Sequence, residues 1–291
     1  MNLLKSKFNI IILLLLTMLT LTGCYGQYKA ERDFYLATRE YNRFLKNIDK
    51  AQEEDYQQMI VNFRRLTINY PFLDKTAEAQ LSIANLYNLQ NKLDKALEEY
   101  KKVIDNYSNS DEACAKAIFT IGGIYQIKGE GEKAEEYFKK AVEEYPETKT
   151  ALGIPLYLGR YYKTKEKEEE SDAAYLEAIS RYKSIIDEDP DGMQGVSAVD
   201  YLVSCYVDKG KWQEAVDSLS EIVDKHPQTH VGQKALFVTA RIYEIHFQDN
   251  EKAEQIYRKI MDKFPNAPLA ELIKKYFQSQ EKNNESNFQE N

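Results

Sequence analysis

Residues 118–146 read IFTIGGIYQIKGEGEKAEEYFKKAVEEYP, and their spacing decides the fold. Ile118, Ile121, Gly122 and Tyr125 recur at helical intervals; after a turn marked by Gly129 and Gly131, Ala134, Phe138 and Ala141 do the same. The stretch therefore predicts two amphipathic helices. Gly122 and Ala134 let them approach closely, aromatic rings fill the remaining space, and Pro146 ends the second helix because it cannot continue one.

The pattern recurs along the chain. Val199, Leu202, Val203, Tyr206, Ala215, Leu219, Ile222 and Pro227 repeat it at the same offsets, and Ile83, Ala84, Tyr87, Ala96, Tyr100 and Val103 repeat most of it. Leu236, Ala240, Tyr243, Ala253, Tyr257, Ile260 and Pro265 match with one extra residue in the turn. Leu158, Gly159, Tyr162, Ala178, Tyr182, Ile185 and Pro190 match with about seven extra residues, which the spacing assigns to the charged run 163–172. The end marks are Tyr70-Pro71, Tyr107-Ser108, Tyr145-Pro146, Asp189-Pro190, His226-Pro227 and Phe264-Pro265, at intervals of 37, 38, 44, 37 and 38 residues. A fixed period in this range means stacked repeats, since one helix pair cannot bury its apolar face alone. The expectation is an all-α, right-handed superhelical solenoid over residues 31–278. It consists of about six helix pairs, the first degenerate (Glu31 to Pro71), and a capping helix from Pro268 to about Gln278. A disordered polar tail, 279–291, is expected to follow. Helix-start signals are read at Ser110-Asp111-Glu112 and at Thr76 with Glu78.

The N-terminus reads as an address. Lys5 and Lys7 precede an apolar run from Ile10 to Leu21, too short to span a bilayer and suited to a secretory signal over residues 1–23. Leu21-Thr22-Gly23-Cys24 resembles the lipobox of bacterial lipoproteins, which implies that Cys24 becomes an acylated N-terminus on a tether, 24–30. Cys114 and Cys205 are then expected as free, buried thiols, because they fall in first helices two repeats apart.

Composition narrows the chemistry. The 291 residues carry 39 basic and 47 acidic side chains, a net of −8, the wrong sign for a phosphate backbone; no nucleic-acid partner is expected. His226 and His230 are separated by Pro227, and no glycine-rich phosphate loop, HExxH or CxxC occurs, so no metal, no cofactor and no catalytic site is expected. Glu168-Glu169-Glu170 reads as a solvated helix extension or loop rather than a docking element, and Trp212 as a turn seal rather than a ligand platform.

The repeat pattern resembles the tetratricopeptide family, and this implies that first helices line a concave, peptide-binding surface. The family's groove frame falls on Leu81, Asn85 and Asn88; Phe119, Gly123 and Gln126; Leu156, Arg160 and Lys163; Asp200 and Ser204; and Phe237, Arg241 and Glu244. Chaperone-binding members carry a base where this chain has Leu81, Phe119, Leu156, Asp200 and Phe237, so the resemblance implies a mixed apolar and polar groove rather than a carboxylate clamp. A lipobox followed by such repeats, with Asn69-Tyr70-Pro71-Phe72 closing the first, resembles the BamD family of outer-membrane β-barrel assembly lipoproteins. The resemblance implies other envelope proteins as partners, among them a barrel-forming protein and unfolded barrel substrates, with the membrane held through lipid. Tyr25 is not the Asp that resembles an inner-membrane retention signal, which favours the outer membrane, periplasmic face. A coordinator of pilus or peptidoglycan assembly and a solute- or glycan-binding lipoprotein are the competing readings.

Overall fold

A computed structural model describes residues 27–289; the signal segment and Cys24 lie outside the described residues. The chain divides into two compact units between Thr150 and Ala151. The first contains α1 (27–46), a single 3-10 turn (Ile48–Lys50), α2 (Glu53–Asn69), α3 (Lys75–Leu89), α4 (Leu93–Asn106), α5 (Asp111–Ile127) and α6 (Gly131–Glu144). The second contains α7 (Lys149–Thr164, opening at the boundary), α8 (Glu168–Glu188), α9 (Met193–Asp208), α10 (Trp212–Lys225), α11 (His230–Ile242), α12 (Asn250–Lys263) and α13 (Pro268–Gln289). Every regular element among the described residues is helical, and within each unit consecutive helices pack as antiparallel pairs stacked side by side.

One turn geometry builds the pairs. Three residues link α3 to α4, α5 to α6, α7 to α8 and α9 to α10, and the middle one (Asn91, Gly129, Glu166, Gly210) is left-handed with φ between 56° and 78°. The next residue's N–H reaches back five positions to the carbonyl of Tyr87, Tyr125, Tyr162 or Tyr206, at 2.9–3.1 Å. This is the Schellman closure, which satisfies carbonyls that the helix end leaves open. Between α11 and α12 the extra residue seen in the sequence is absorbed as a π turn, Tyr243–Phe247, so that Asp249 N–H reaches back six positions to Tyr243.

The proline marks also have a geometric cause. Tyr70, Tyr107, Tyr145, Asp189, His226 and Phe264 each cap a second helix with φ near −130° and ψ of 41–60°. A following proline disfavours the α region at the residue before it, and so stops the helix there. Close approach is visible at Gly122 and Gly159, where an added Cβ would stand 2.6 Å from Phe138 and 2.8 Å from Tyr175.

Three expectations need correction. The fourth repeat's turn holds no insertion: it has the same three residues as the others, and Tyr175 and Ser171, rather than Tyr182 and Ala178, occupy the places of Phe138 and Ala134. The seven residues extend the C-terminal end of α8, which has 21 residues where α4, α6, α10 and α12 have 14. The extension has a structural use. Pro155 lies inside α7, where its ring and missing N–H disturb the helical ladder. The buried Tyr182 hydroxyl is interposed there, accepting from Leu156 N–H at 3.2 Å and donating to the Leu152 carbonyl at 2.9 Å. Those two backbone groups would pair with each other in an unbroken helix. Second, residues 27–30 are the first turn of α1 with Ala30 buried, rather than a tether. Third, α13 continues to Gln289 where the expectation ended it near Gln278 and placed a disordered tail; no Pro or Gly follows Pro268 to stop it. The helix-start signals do mark starts, α5 beginning at Asp111 with Ser110 at its N-cap and α3 at Lys75, although neither Ser110 nor Thr76 bonds the helix end by its side chain as Thr229 and Asp249 do, accepting from Gly232 and Lys252.

Cys114 and Cys205 are free and buried, and burial pushes the Cys205 thiol up to about 12. Glu99, on α4, is a buried carboxylate. It accepts from Arg64 at 2.9 Å, Gln80 at 2.6 Å and Lys102 at 2.9 Å. Burial raises its pKa, but these donors outweigh it and hold the group below the ordinary carboxylate value.

Candidate protein-binding surfaces

First helices of neighbouring repeats lie beside each other within each unit, α3 by α5 and α9 by α11. Their side chains therefore share a face. In the first unit Asn85, Asn88, Phe119 and Gln126 are half-buried on it, and the Lys116–Glu78 ion pair at 3.3 Å ties α5 to α3. Asn85 accepts the Tyr100 hydroxyl at 2.5 Å, and Phe119 leans on Phe138 with ring centroids 5.3 Å apart. Gly123 faces open space, with nothing within 4 Å of an added Cβ.

The second unit's face is charged. Arg160 and Lys163 are exposed on α7 and converge on Asp208 at the end of α9: Arg160 Nε donates to Oδ2 at 2.6 Å, Lys163 Nζ to the backbone carbonyl at 2.6 Å. The Tyr175 hydroxyl donates to the same Oδ2 at 3.1 Å. Lys234 of α11 pairs with Asp200 of α9 at 2.8 Å, and the Ser204 hydroxyl is occupied by the Asp200 carbonyl.

At the far end of this unit, α11, α12 and α13 form an open cavity of about 190 Å³ lined by Phe237, Arg241, Tyr257, Leu269, Leu272, Ile273 and Tyr276. Glu244 stands at its edge, accepting from Tyr257 at 2.9 Å, Tyr276 at 2.5 Å and Arg241 at 2.8 Å. Burial works against ionisation of Glu244, yet the two tyrosine hydroxyls and Arg241 hold its pKa low, so the rim carries a fixed anion beside a cation. Small-molecule sites usually run to about 300 Å³ and more, so this cavity has the size for one apolar side chain.

Two of the expected groove residues are not available to a ligand. Leu81 and Leu156 are 5% and 4% exposed and belong to the cores, where they meet the helix pairs' aromatic residues. At that repeat position Phe119 and Phe237 are half-buried and Asp200 is exposed. Asn85, Asn88, Gln126, Arg160, Lys163, Phe237 and Arg241 do stand on the first-helix faces. Glu244 stands where the groove frame put it, but Asp208, the hydroxyls of Tyr257 and Tyr276 on Glu244 and the part of α13 in the cavity were not foreseen; Asp208 lies four residues beyond Ser204 on the same helix face. Glu168, Glu169 and Glu170 form the exposed first turn of α8. Trp212 packs at the head of α10 and stacks on His246 of the π turn, centroids 3.9 Å apart. No group of three His, Cys, Asp or Glu that could hold a metal ion occurs among the described residues.

Stacked helix pairs joined by one repeated turn, with mixed faces along their first helices, define a repeat protein of the interaction-scaffold class. Tetratricopeptide-repeat profiles match residues 78–110, 115–148 and 203–268, so the chain contains tetratricopeptide repeats there. A search of curated proteins finds no match. Among solved structures, the chain is similar to YrrB, a tetratricopeptide protein with an unusual peptide-binding site, at 22% identity over 73% of this chain and 97% of that one, TM-score 0.32. It is similar to a tetratricopeptide repeat protein from Parabacteroides merdae at 13% identity over 86% and 87%, TM-score 0.35. Pseudomonas aeruginosa PilF matches at 15% over 88% and 99%, TM-score 0.38. With TM-scores under 0.5, these likenesses carry neither fold nor function, which rest on the repeats themselves.

Proposed function

We propose that this chain is a non-enzymatic, lipid-anchored scaffold of the bacterial cell envelope, held at Cys24 to the periplasmic face of the outer membrane, and that it binds proteins of β-barrel assembly. The observation that carries the binding part is the first-helix face of each unit. Phe119 in one unit and Phe237 in the other are half-buried at that face, which also carries amides in the first unit and Arg160, Lys163 and Arg241 in the second. Such a surface suits an extended or helical peptide with apolar anchors and polar flanks. The cavity beside Phe237 has room for one anchor side chain and is small for an oligosaccharide, which favours a protein partner over a glycan. The anchoring part rests on the lipobox-like Leu21-Thr22-Gly23-Cys24. Metabolic acyl labelling of the parent chain and of Cys24→Ala, followed by affinity purification from native envelopes, tests both parts. The expected result is a label lost in Cys24→Ala and co-purification of a β-barrel assembly component with the parent. A label that persists in Cys24→Ala refutes the anchor, and absence of any such component refutes the role in barrel assembly.

A further inference from the structure

We infer that the end of the first unit carrying Phe72 rests on the lipid surface, as a second membrane contact beside the anchor; this depends on the reading of Cys24 as acylated. Only Tyr25 and Gly26 separate Cys24 from Gln27, the first described residue of α1. At about 3.3–3.6 Å per residue, the lipid attachment can stand no more than about 10 Å from the start of that helix. The ring contacts Phe34–Tyr70, Tyr41–Phe63 and Phe44–Tyr56 show α1 and α2 to be antiparallel, so the start of α1 shares an end with the α2–α3 turn. The Tyr70 hydroxyl donates to Asp33 at 2.7 Å, fixing that turn about 9 Å along α1 from Gln27 at 1.5 Å rise per residue.

What this end presents is apolar, with charges of both signs around it. Phe72 is 97% exposed, Ile68 70% and Tyr28 64%. Lys29, Arg65 and Lys75 are exposed at this end, as are Glu31 and Asp74. A wholly exposed phenylalanine with an exposed aliphatic side chain and a tyrosine at the same end has the apolar composition of an interfacial contact, the rings and the isoleucine entering the acyl boundary while Lys29, Arg65 and Lys75 can meet zwitterionic and anionic head groups. Tethering at Cys24 supplies the high local concentration that lets so small an apolar area bind.

The test uses the full, acylated chain on phosphatidylethanolamine–phosphatidylglycerol vesicles containing lipids brominated high on the acyl chain. Trp212→Phe removes the native indole, and Phe72→Trp or, as a control on exposed α6, Lys139→Trp supplies a single reporter. Mass spectrometry of the Cys24 peptide scores acylation. The expected result is a blue shift and loss of more than half the emission for Phe72→Trp, with Lys139→Trp unchanged. Acylated, vesicle-bound protein whose Phe72→Trp emission matches Lys139→Trp overturns this inference alone. An unacylated Cys24 overturns it together with the anchor reading.

Discussion

Replacing Tyr182 by Phe removes one oxygen from the core of the second unit and leaves the ring in place. That oxygen serves two backbone groups, Leu156 N–H at 3.2 Å and the Leu152 carbonyl at 2.9 Å, beside Pro155 in α7. Tyr182 is fully buried, as are Leu152 and Leu156, so no water stands ready to replace the hydroxyl. Stranding a buried polar group costs about 1–3 kcal/mol, and two are at risk here. The expected loss for Tyr182→Phe is therefore about 2–3 kcal/mol in urea unfolding, with little change in slope. The reasoning makes a sharper demand in a double-mutant cycle. Pro155→Ala restores an N–H and lets the α7 ladder close, so Leu156 and Leu152 can bond to each other and Tyr182→Phe should then cost less than about 1 kcal/mol. Equal costs in the two backgrounds would refute the claim that the hydroxyl repairs the helix at Pro155.

Three further outcomes follow from the same geometry. Gly122→Ala, whose Cβ would meet Phe138 at 2.6 Å, should destabilise by about 1–3 kcal/mol, whereas Gly123→Ala, which meets nothing within 4 Å, should stabilise by up to about 1 kcal/mol; thermal unfolding reads both signs. Glu166→Gly relieves a left-handed non-glycine residue and should stabilise by about 0.5–1 kcal/mol, while Gly210→Ala at the equivalent place should destabilise by a similar amount, and chemical denaturation of the pair decides whether the turn geometry is read correctly. Because the folded-state pKa of Glu99 is depressed, its contribution is present above the ordinary value of 4.5 and is lost as pH falls through the folded value; Glu99→Gln should flatten the fall in stability on acidification, and parallel pH curves for variant and parent would contradict this.

The repeat was legible because its requirements are local. A residue before proline is disfavoured in a helix, a three-residue turn favours a left-handed centre, and a helix pair in contact needs a small residue at the crossing; Tyr145-Pro146, Gly129 and Gly122 announce these one by one. The fourth repeat misled the reading for a physical reason. Ala178 and Tyr182 imitate the small and aromatic positions one helical stretch later than Ser171 and Tyr175, and a serine at the alanine place conceals the true register. Its role shows only in three dimensions, where Ser171 Oγ donates to the Gly159 carbonyl at 2.9 Å across the close approach. Leu81 and Leu156 were placed on the groove because the repeat frame gives a direction but not a depth; leucine at that position is buried in the core, whereas phenylalanine is half-buried. The cavity on α13 was hidden because it needs three helices, one of them beyond the last repeat.

The central claim is that the first-helix faces grip protein. Placing a photo-crosslinking phenylalanine analogue at Gln126 and at Arg160, and at Lys139 on a second helix as control, and irradiating native envelopes tests it most directly. The account predicts adducts to a β-barrel assembly component from Gln126 or Arg160 and none from Lys139. Adducts from Lys139 alone, or none from either first-helix position, would contradict it.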